Sequence, residues 1–430
     1  MKRDKLIAIL DYIACHIACA IVWALAILPR RNLFANDTRK HILIIANDRV
    51  GDILIRLPFY AALRKAFPKE KWHITATLPN YMSKTLSALP YFDEILETPI
   101  QWDNHGLRWI FKRKQFISSP LRWAFWHKID ILISPVRFRA LGCDFVHQLS
   151  RPRFSVAYSS EEDWNAFPMS VRHQRQVYDH KYTCLIKPTA ARHQLDDLEK
   201  MLYKTILFGK EYGHAHVTCC KLSLTPQDEW KSIVDAGYAT RNKLHHHVVF
   251  VPGASSEIRQ WPAKSFAGLA EQLEGRIVVV GSANEHLLGE RIISLSKSEV
   301  LNLCGKTTIA QLGAVLLNAK LVVTNETGTA TYAAVLGVPT ICILGGGDFG
   351  AFFPNPYYQN TVSVFRKDNC YFCGWKCKHG NANGLITAPC IQAVSVDDVL
   401  AAIGRLSDCR SFSLATDKTL VKPTADAERP

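Results

Sequence analysis

A chain of 430 residues, nearly half of them hydrophobic, is long enough for two cores and too apolar to be disordered. Its formal net charge of +14 suits an acidic partner (anionic lipid, a phosphorylated glycan or nucleotide, or nucleic acid) without choosing among them. Thirteen cysteines, an odd number scattered along a long chain, exclude a secreted disulfide framework.

The amino terminus comes first. Residues 6–28 are apolar except for Asp11 and His16, with KRDK before them and PRR after. The run is long enough to span a bilayer, and no small-residue cleavage site follows it. Asp11 and His16 would be costly at mid-bilayer depth. Lys2, Arg3 and Lys5 balance Arg30, Arg31, Arg39 and Lys40, so flanking charge gives no orientation. Residues 1–35 are therefore read as an apolar helix lying in a membrane interface, with a span and a core-packed helix as alternatives.

Short apolar runs then alternate with helical patterns. Strands are expected at 41–46, 72–77, 94–97, 129–134 and 153–158; NDRVGD at 47–52 precedes a helical pattern that runs to Phe67, and a second helix is expected over 80–89. Between the third and fourth strands, residues 102–128 interleave Trp102, Trp109, Trp123 and Trp126 with six Lys/Arg and one acid, Asp103. Such a segment suits a membrane interface, an anionic glycolipid or a single nucleic-acid strand, or it is an insertion with packed rings and solvated charges. Residues 158–217, with a helical pattern at 195–208, are read as the crossover to a second unit. That unit shows strands at 247–251, 276–281, 320–324 and 340–344. The alternation predicts two parallel-sheet α/β domains, at 40–190 and 215–410, followed by a disordered tail at 411–430.

Four blocks fall where strands hand over to helices, the place where open α/β sheets bind ligands. NDRVGDILIRLP puts Asp52 at the first such point, where it could take a proton from a hydroxyl or serve only as a helix cap. PGASSEIRQWP offers close backbone approach, the hydroxyls of Ser255 and Ser256, and Arg259, whose planar fork matches phosphate oxygens. GSANE carries Glu285, a candidate ribose ligand or a first-turn carboxylate. NETGTATYAAVLGVPT places Glu326, Thr327, Gly328 and Thr329 at a helix start, where unpaired amides and the helix dipole favour a phosphate. Neither a dinucleotide fingerprint nor a Walker A loop is present. Finally, Cys370, Cys373, Cys377 and Cys390 follow a C-x2-C-x3-C-x12-C spacing. They could close a structural zinc or iron site, with His379 as a substitute ligand, or remain reduced thiols on a polar loop.

Taken in order, the four blocks resemble glycosyltransferase family 9, the heptosyltransferases of lipopolysaccharide core synthesis. The family shows R-x-G-D-x-x-x-x-x-P, then P-G-A-S followed by R/K-x-W-P, then a G-G-x-x-E-like strand end, then N-D-T-G-x-x-H-x-A-A-x-x-G-x-P-T. The match here covers about residues 42–344. The resemblance implies a GT-B architecture: two Rossmann-like domains facing a cleft, acceptor in front and nucleotide sugar behind. It implies Asp52 as general base, Ser255, Arg259 and the 327–329 turn on the donor diphosphate, and Glu285 on the ribose. It also implies inverting, metal-independent chemistry with no cofactor needed for catalysis, positive charge and backbone amides doing what a metal would otherwise do; some family members resemble the cysteine cluster in carrying a cysteine-bound iron. The expected partners are an ADP-sugar donor, a lipid-linked core saccharide and the anionic inner-membrane surface on its cytoplasmic face; no nucleic acid is expected. Two departures stand out. Glu326 replaces the usual Asp, and Thr331 replaces the usual His. The alternatives are another glycan or a protein as acceptor, or a non-catalytic nucleotide- or glycan-binding scaffold.

Overall fold

The computed structural model describes residues 2–28, 37–98, 120–137, 139, 141–160, 176–187, 194–211, 222, 228–358, 360–379 and 387–406. Most of the basic–aromatic segment, 102–119, and the tail at 411–430 lie outside the described residues.

The first sheet contains β1 (Lys40–Ile45), β2 (Trp72–Pro79), β3 (Glu94–Thr98), β4 (Ile131–Ser134), β5 (Phe154–Tyr158) and β6 (Cys184–Ile186). All pairs are parallel, in the order β3-β2-β1-β4-β5-β6. Parallel strands covered on both faces must be apolar throughout, and β1 (KHILII), β4 (ILIS) and β5 (FSVAY) are buried almost end to end. The second sheet repeats the plan with β7 (His247–Val251), β8 (Ile277–Val279), β9 (Val300–Asn302), β10 (Ala319–Asn325), β11 (Thr340–Ile343) and β12 (Thr361–Val364), in the order β12-β11-β10-β7-β8-β9. In each sheet the order in which strands are added reverses once, between β1 and β4 and between β7 and β10. At those points adjacent strand-end loops diverge and open a crevice.

The helices that matter for the cleft are few. The long helix α1 (Lys2–Ile27) precedes the first sheet, and α2 (Val50–Leu54) and α3 (Leu57–Ala66) follow β1, while α4 (Asn80–Leu86) follows β2. Next come α5 (Pro120–Trp126), α6 (Leu141–Ser150) and α7 (Gln194–Glu211). The second unit carries α8 (Ala236–Arg241), α9 (Ala263–Ala270), α10 (His286–Leu295), α11 (Ile309–Leu317), α12 (Gly328–Val335), α13 (Pro389–Gln392) and α14 (Val396–Gly404). The amphipathic α7 lays its apolar face on β5, β6 and α3, so the first unit runs through Glu211 and not only to 190. The expected crossover is thus a sixth strand and a covering helix. The helix expected over 80–89 stops at Leu86, where Ser87 turns back on the Ser83 carbonyl.

α1 packs one stripe of residues, Ala18, Val22 and Ala26, against α6 and the surrounding apolar cluster. These residues recur every four positions, so they share one face. The other described positions leave Ile13, Ile17, Ile21, Trp23 and Ile27 about half exposed. Among the described residues, no helix is long and apolar enough to cross a membrane.

The strand-end loops of the second sheet are tied together by one amide. Asn325, fully buried, accepts from the Trp261 backbone N–H at 3.0 Å and donates to the Pro252 carbonyl at 2.7 Å. The Trp261 ring is buried too, its indole N–H on the Val394 carbonyl at 2.8 Å. At the far end of α12, Gly337 takes φ +79°, a left-handed turn that lets the chain leave the helix and enter β11. An Asn325→Ala change strands a buried N–H and a buried C=O. It should lower stability by about 2–3 kcal/mol in equilibrium urea unfolding, and a loss below about 0.5 kcal/mol would mean the clamp is redundant.

Candidate active site

The two lobes meet through backbone. Asp52 lies in the first turn of α2, directly after Gly51. A Cβ on Gly51 would stand 2.8 Å from the Gly328 Cα and 3.5 Å from the Thr331 hydroxyl, and one on Gly328 would stand 2.9 Å from the Gly51 nitrogen. Real side chains do not fit at those distances, so the two glycines let the amino termini of α2 and α12 abut. Asp52 and the 327–329 turn, far apart in sequence, are thereby neighbours.

Asp52 is half-buried. Burial, aided by the nearby Asp48 charge, raises its carboxyl to about 7, against the pull of Arg56 and Arg49. Asp48 is itself held: its Oδ2 accepts from Arg56 Nη2 at 2.6 Å, and its carbonyl accepts from the Tyr81 hydroxyl at 2.8 Å. Arg56 has no exposed surface. Burial opposes its charge, and Asp48, Tyr60 and Asp52 together more than restore it. A carboxyl poised near neutrality in a crevice can accept a proton from a hydroxyl and release it again.

The second lobe carries its own group of charges. Arg259 closes a short 3-10 turn after β7 and reaches Ser255 Oγ at 3.2 Å, Glu326 Oε2 at 3.3 Å and Asp348 Oδ2 at 3.6 Å. Burial drives the Glu326 carboxyl up to about 8, Asp348 adds to this, and Arg259 opposes it. Glu326 Oε1 has no hydrogen-bond partner among the described residues. Thr327 caps α12 by accepting from the Ala330 N–H at 3.4 Å, which leaves the first-turn amides without helical partners.

Of the residues singled out in the sequence, Asp52 directly follows Gly51, which meets Gly328 at the start of α12, where Thr327 and Thr329 also lie; Ser255, Arg259 and Glu326 come together. Ser256 is exposed and contributes its carbonyl to the Arg259 N–H. Glu285 forms a reciprocal capping box with Ser282, and its carboxylate lies where a Cβ on Gly253 or Gly281 would collide with it. Thr331, in place of the family's His, is buried beside Gly51. Sequence reasoning missed Asp348, Asp48 and Arg56. The signal for Asp348 was its position just past β11, another strand end.

The four cysteines of the 370–390 loop are free and half-buried. The ligand-type atoms that converge within metal-binding reach there are those of Asp368, Cys370 and His379, with Cys373, Cys377 and Cys390 outside the group. A carboxylate, a thiol and an imidazole are donor types that zinc accepts, but the four-thiolate set expected from the sequence does not converge among the described residues. A second such group, Asp37, His41 and His73, encloses a cation of its own: Arg39 Nη2 lies 3.0 Å from both Asp37 Oδ2 and His73 Nδ1.

Acid inhibition is the expected signature of Asp52. A base with a carboxyl near 7 works only when ionised, so kcat/KM should fall about tenfold per pH unit below neutrality. Asp48→Asn removes a negative neighbour and should move that acid limb to lower pH; an unmoved limb assigns it to another group.

Comparison with known proteins bears on the family and the fold. A family model for glycosyltransferase family 9 (heptosyltransferase) matches residues 153–379, just over half of the chain. Lipopolysaccharide heptosyltransferase 2 of Salmonella typhimurium strain LT2 is 25% identical over 320 residues, 71% of this chain and 82% of that protein. Lipooligosaccharide heptosyltransferase 2 of Haemophilus ducreyi is 23% identical over 339 residues, 75% and 88% of the two chains. Among solved structures, E. coli ADP-heptose lipopolysaccharide heptosyltransferase II superposes with a TM-score of 0.59 at 17% identity, covering 85% of this chain and 98% of that one. With two Rossmann-like lobes in GT-B arrangement and four motif blocks on their facing strand ends, the chain is a glycosyltransferase and belongs to family 9.

Proposed function

We propose that this enzyme moves a heptose from ADP-heptose to a sugar of the lipopolysaccharide core, with inversion at the anomeric carbon. The observation that carries the reading is the meeting of Asp52, its carboxyl near 7, with the α12 amino terminus, while Arg259 stands on the donor side of the same crevice. The names of the relatives supply the sugar, the nucleotide and the acceptor.

In this reading Asp52 takes the proton of the acceptor hydroxyl as its oxygen bonds to the anomeric carbon. The bond from that carbon to the β-phosphate oxygen breaks, and ADP leaves. Negative charge grows on the departing diphosphate, where Arg259 and the amides of the 327–329 turn would oppose it. Ser255 would hold Arg259 in place, and Glu285 would receive the ribose. The buried Glu326 carboxyl, raised to about 8, stays largely protonated at neutral pH and so does not repel the diphosphate. An ion on Asp368, Cys370 and His379 would be structural, and no step depends on it. A purely binding scaffold has no need of a carboxyl tuned to about 7 in the crevice, which favours the enzymatic reading.

Turnover against ADP-heptose, GDP-sugars and UDP-sugars, with core-truncated lipopolysaccharide as acceptor, tests the donor. Transfer from ADP-heptose is expected, with Asp52→Asn lowering kcat by about 10²–10⁴-fold while ADP affinity holds within about twofold. Transfer from a UDP-sugar alone would overturn the heptose assignment.

A lipid-linked acceptor fits the exposed apolar ridge of α1, which we place against the cytoplasmic face of the inner membrane as a peripheral anchor. The net positive charge would add attraction to anionic headgroups. Wild-type protein should co-sediment with phosphatidylglycerol-containing vesicles, less so at high salt, and an Ile17→Glu/Ile21→Glu variant should stay in solution. Equal binding by both would place the anchor elsewhere.

A further inference from the structure

Arg259 is held by a residue that the catalytic reading does not use. Its guanidinium carbon lies 4.6 Å from the centroid of the Trp375 ring, in cation–π contact. The Trp375 indole N–H donates to Asp348 Oδ2 at 2.8 Å, the same oxygen that faces Arg259 Nη1 at 3.6 Å. Trp375 thus braces the arginine twice, by its face directly and by its edge through Asp348.

The loop that carries Trp375 is built to hold this ring. Trp375 falls between Cys373 and Cys377, and its backbone sits at φ +61°, with Phe372 at +66°. Left-handed backbone at two bulky residues persists only where the surroundings enforce it. The enforcement is visible. Phe372 N–H donates to the Gly346 carbonyl at 2.7 Å, and Gly374 N–H to the Gly347 carbonyl at 3.1 Å. Side chains on Gly345 or Gly347 would run into the Trp375 ring, so these glycines after β11 form its bed. The Ala388 N–H reaches the Ile258 carbonyl at 2.9 Å, which ties the end of the cysteine loop to the turn bearing Arg259.

We propose that Trp375 is a positioning residue for donor binding: it sets the plane of the Arg259 guanidinium, and the cysteine loop is the frame that holds it there. This rests on the reading of Arg259 as a diphosphate ligand. Ser255, Glu326 and Asp348 draw Arg259 in several directions, and a ring over one face confines it to a plane in which its N–H groups would meet phosphate oxygens.

The test is ADP binding by calorimetry, with donor KM and kcat, on the full-length protein. Trp375→Ala should weaken ADP binding and raise donor KM by about tenfold, with kcat changed by less than about threefold. Trp375→Phe keeps the face and loses the N–H, and should fall between. Gly347→Ala leaves every ligand in place but pushes the ring off its bed, and should weaken ADP binding while the thermal midpoint stays near that of Trp375→Ala. A double-mutant cycle decides between positioning and bulk structure. With Arg259 already replaced by Ala, removal of Trp375 should cost ADP affinity nothing further. Full additivity, or normal ADP affinity in Trp375→Ala, overturns the proposal. Normal ADP affinity in Arg259→Ala would instead overturn the diphosphate role of Arg259, which separates the two failures.

Discussion

The architecture turns on a contact between two glycines. Gly51 and Gly328 bring the amino termini of α2 and α12 into backbone contact across the lobe boundary, closer than any side chain would allow. Through that contact a front-lobe carboxylate and a rear-lobe helix start share one crevice, although 275 positions separate Asp52 from Thr327 in sequence order. Around it, Tyr357 reaches Asp196 at 2.7 Å and Trp230 reaches Tyr91 at 2.9 Å, so the lobes are also held at a distance from the crevice. An interface of this kind fixes geometry without filling the place where substrates must enter.

The charges in the crevice follow from the same closeness. Desolvation raises both Asp52 and Glu326, but their neighbours differ. Asp52 faces Asp48, whose charge is tied up by the buried Arg56; Glu326 faces Arg259 and Asp348. The first setting leaves a group that loses its proton near neutrality, and the second leaves a neutral acid beside a cation. One fold thus gives two acidic side chains different surroundings, by controlling solvent access and the nearest charge.

Much of this was legible in the sequence. β1, β2, β7, β10 and β11 are long or fully buried, so their apolar runs stand out, and the strand-end rule then pointed to Asp52, Arg259 and the 327–329 turn. β6, β9 and β12 went unseen because they are edge strands of three or four residues with half-buried positions, too short and too mixed to carry a period. The same blindness turned β6 and α7 into an expected crossover. Arg56 read as one more position in a helical pattern, and only the packing reveals a buried cation beside Asp48. Trp375 carried no signal at all: its partners Arg259 and Asp348 come from different strand ends, and its neighbouring cysteines drew attention to metal binding instead.

Because all strands within each sheet run the same way, every strand-end loop of a lobe emerges on one side. Chemistry is therefore segregated from scaffolding. The opposite ends of the strands, where Asp130 takes the His41 N–H at 2.9 Å and the Asp37–Arg39–His73 cluster sits, can concern themselves with stability alone. A lineage built on this plan is free to lengthen or rewrite the loops of one lobe while those of the other stay as they are, since the two sets of loops share no strand.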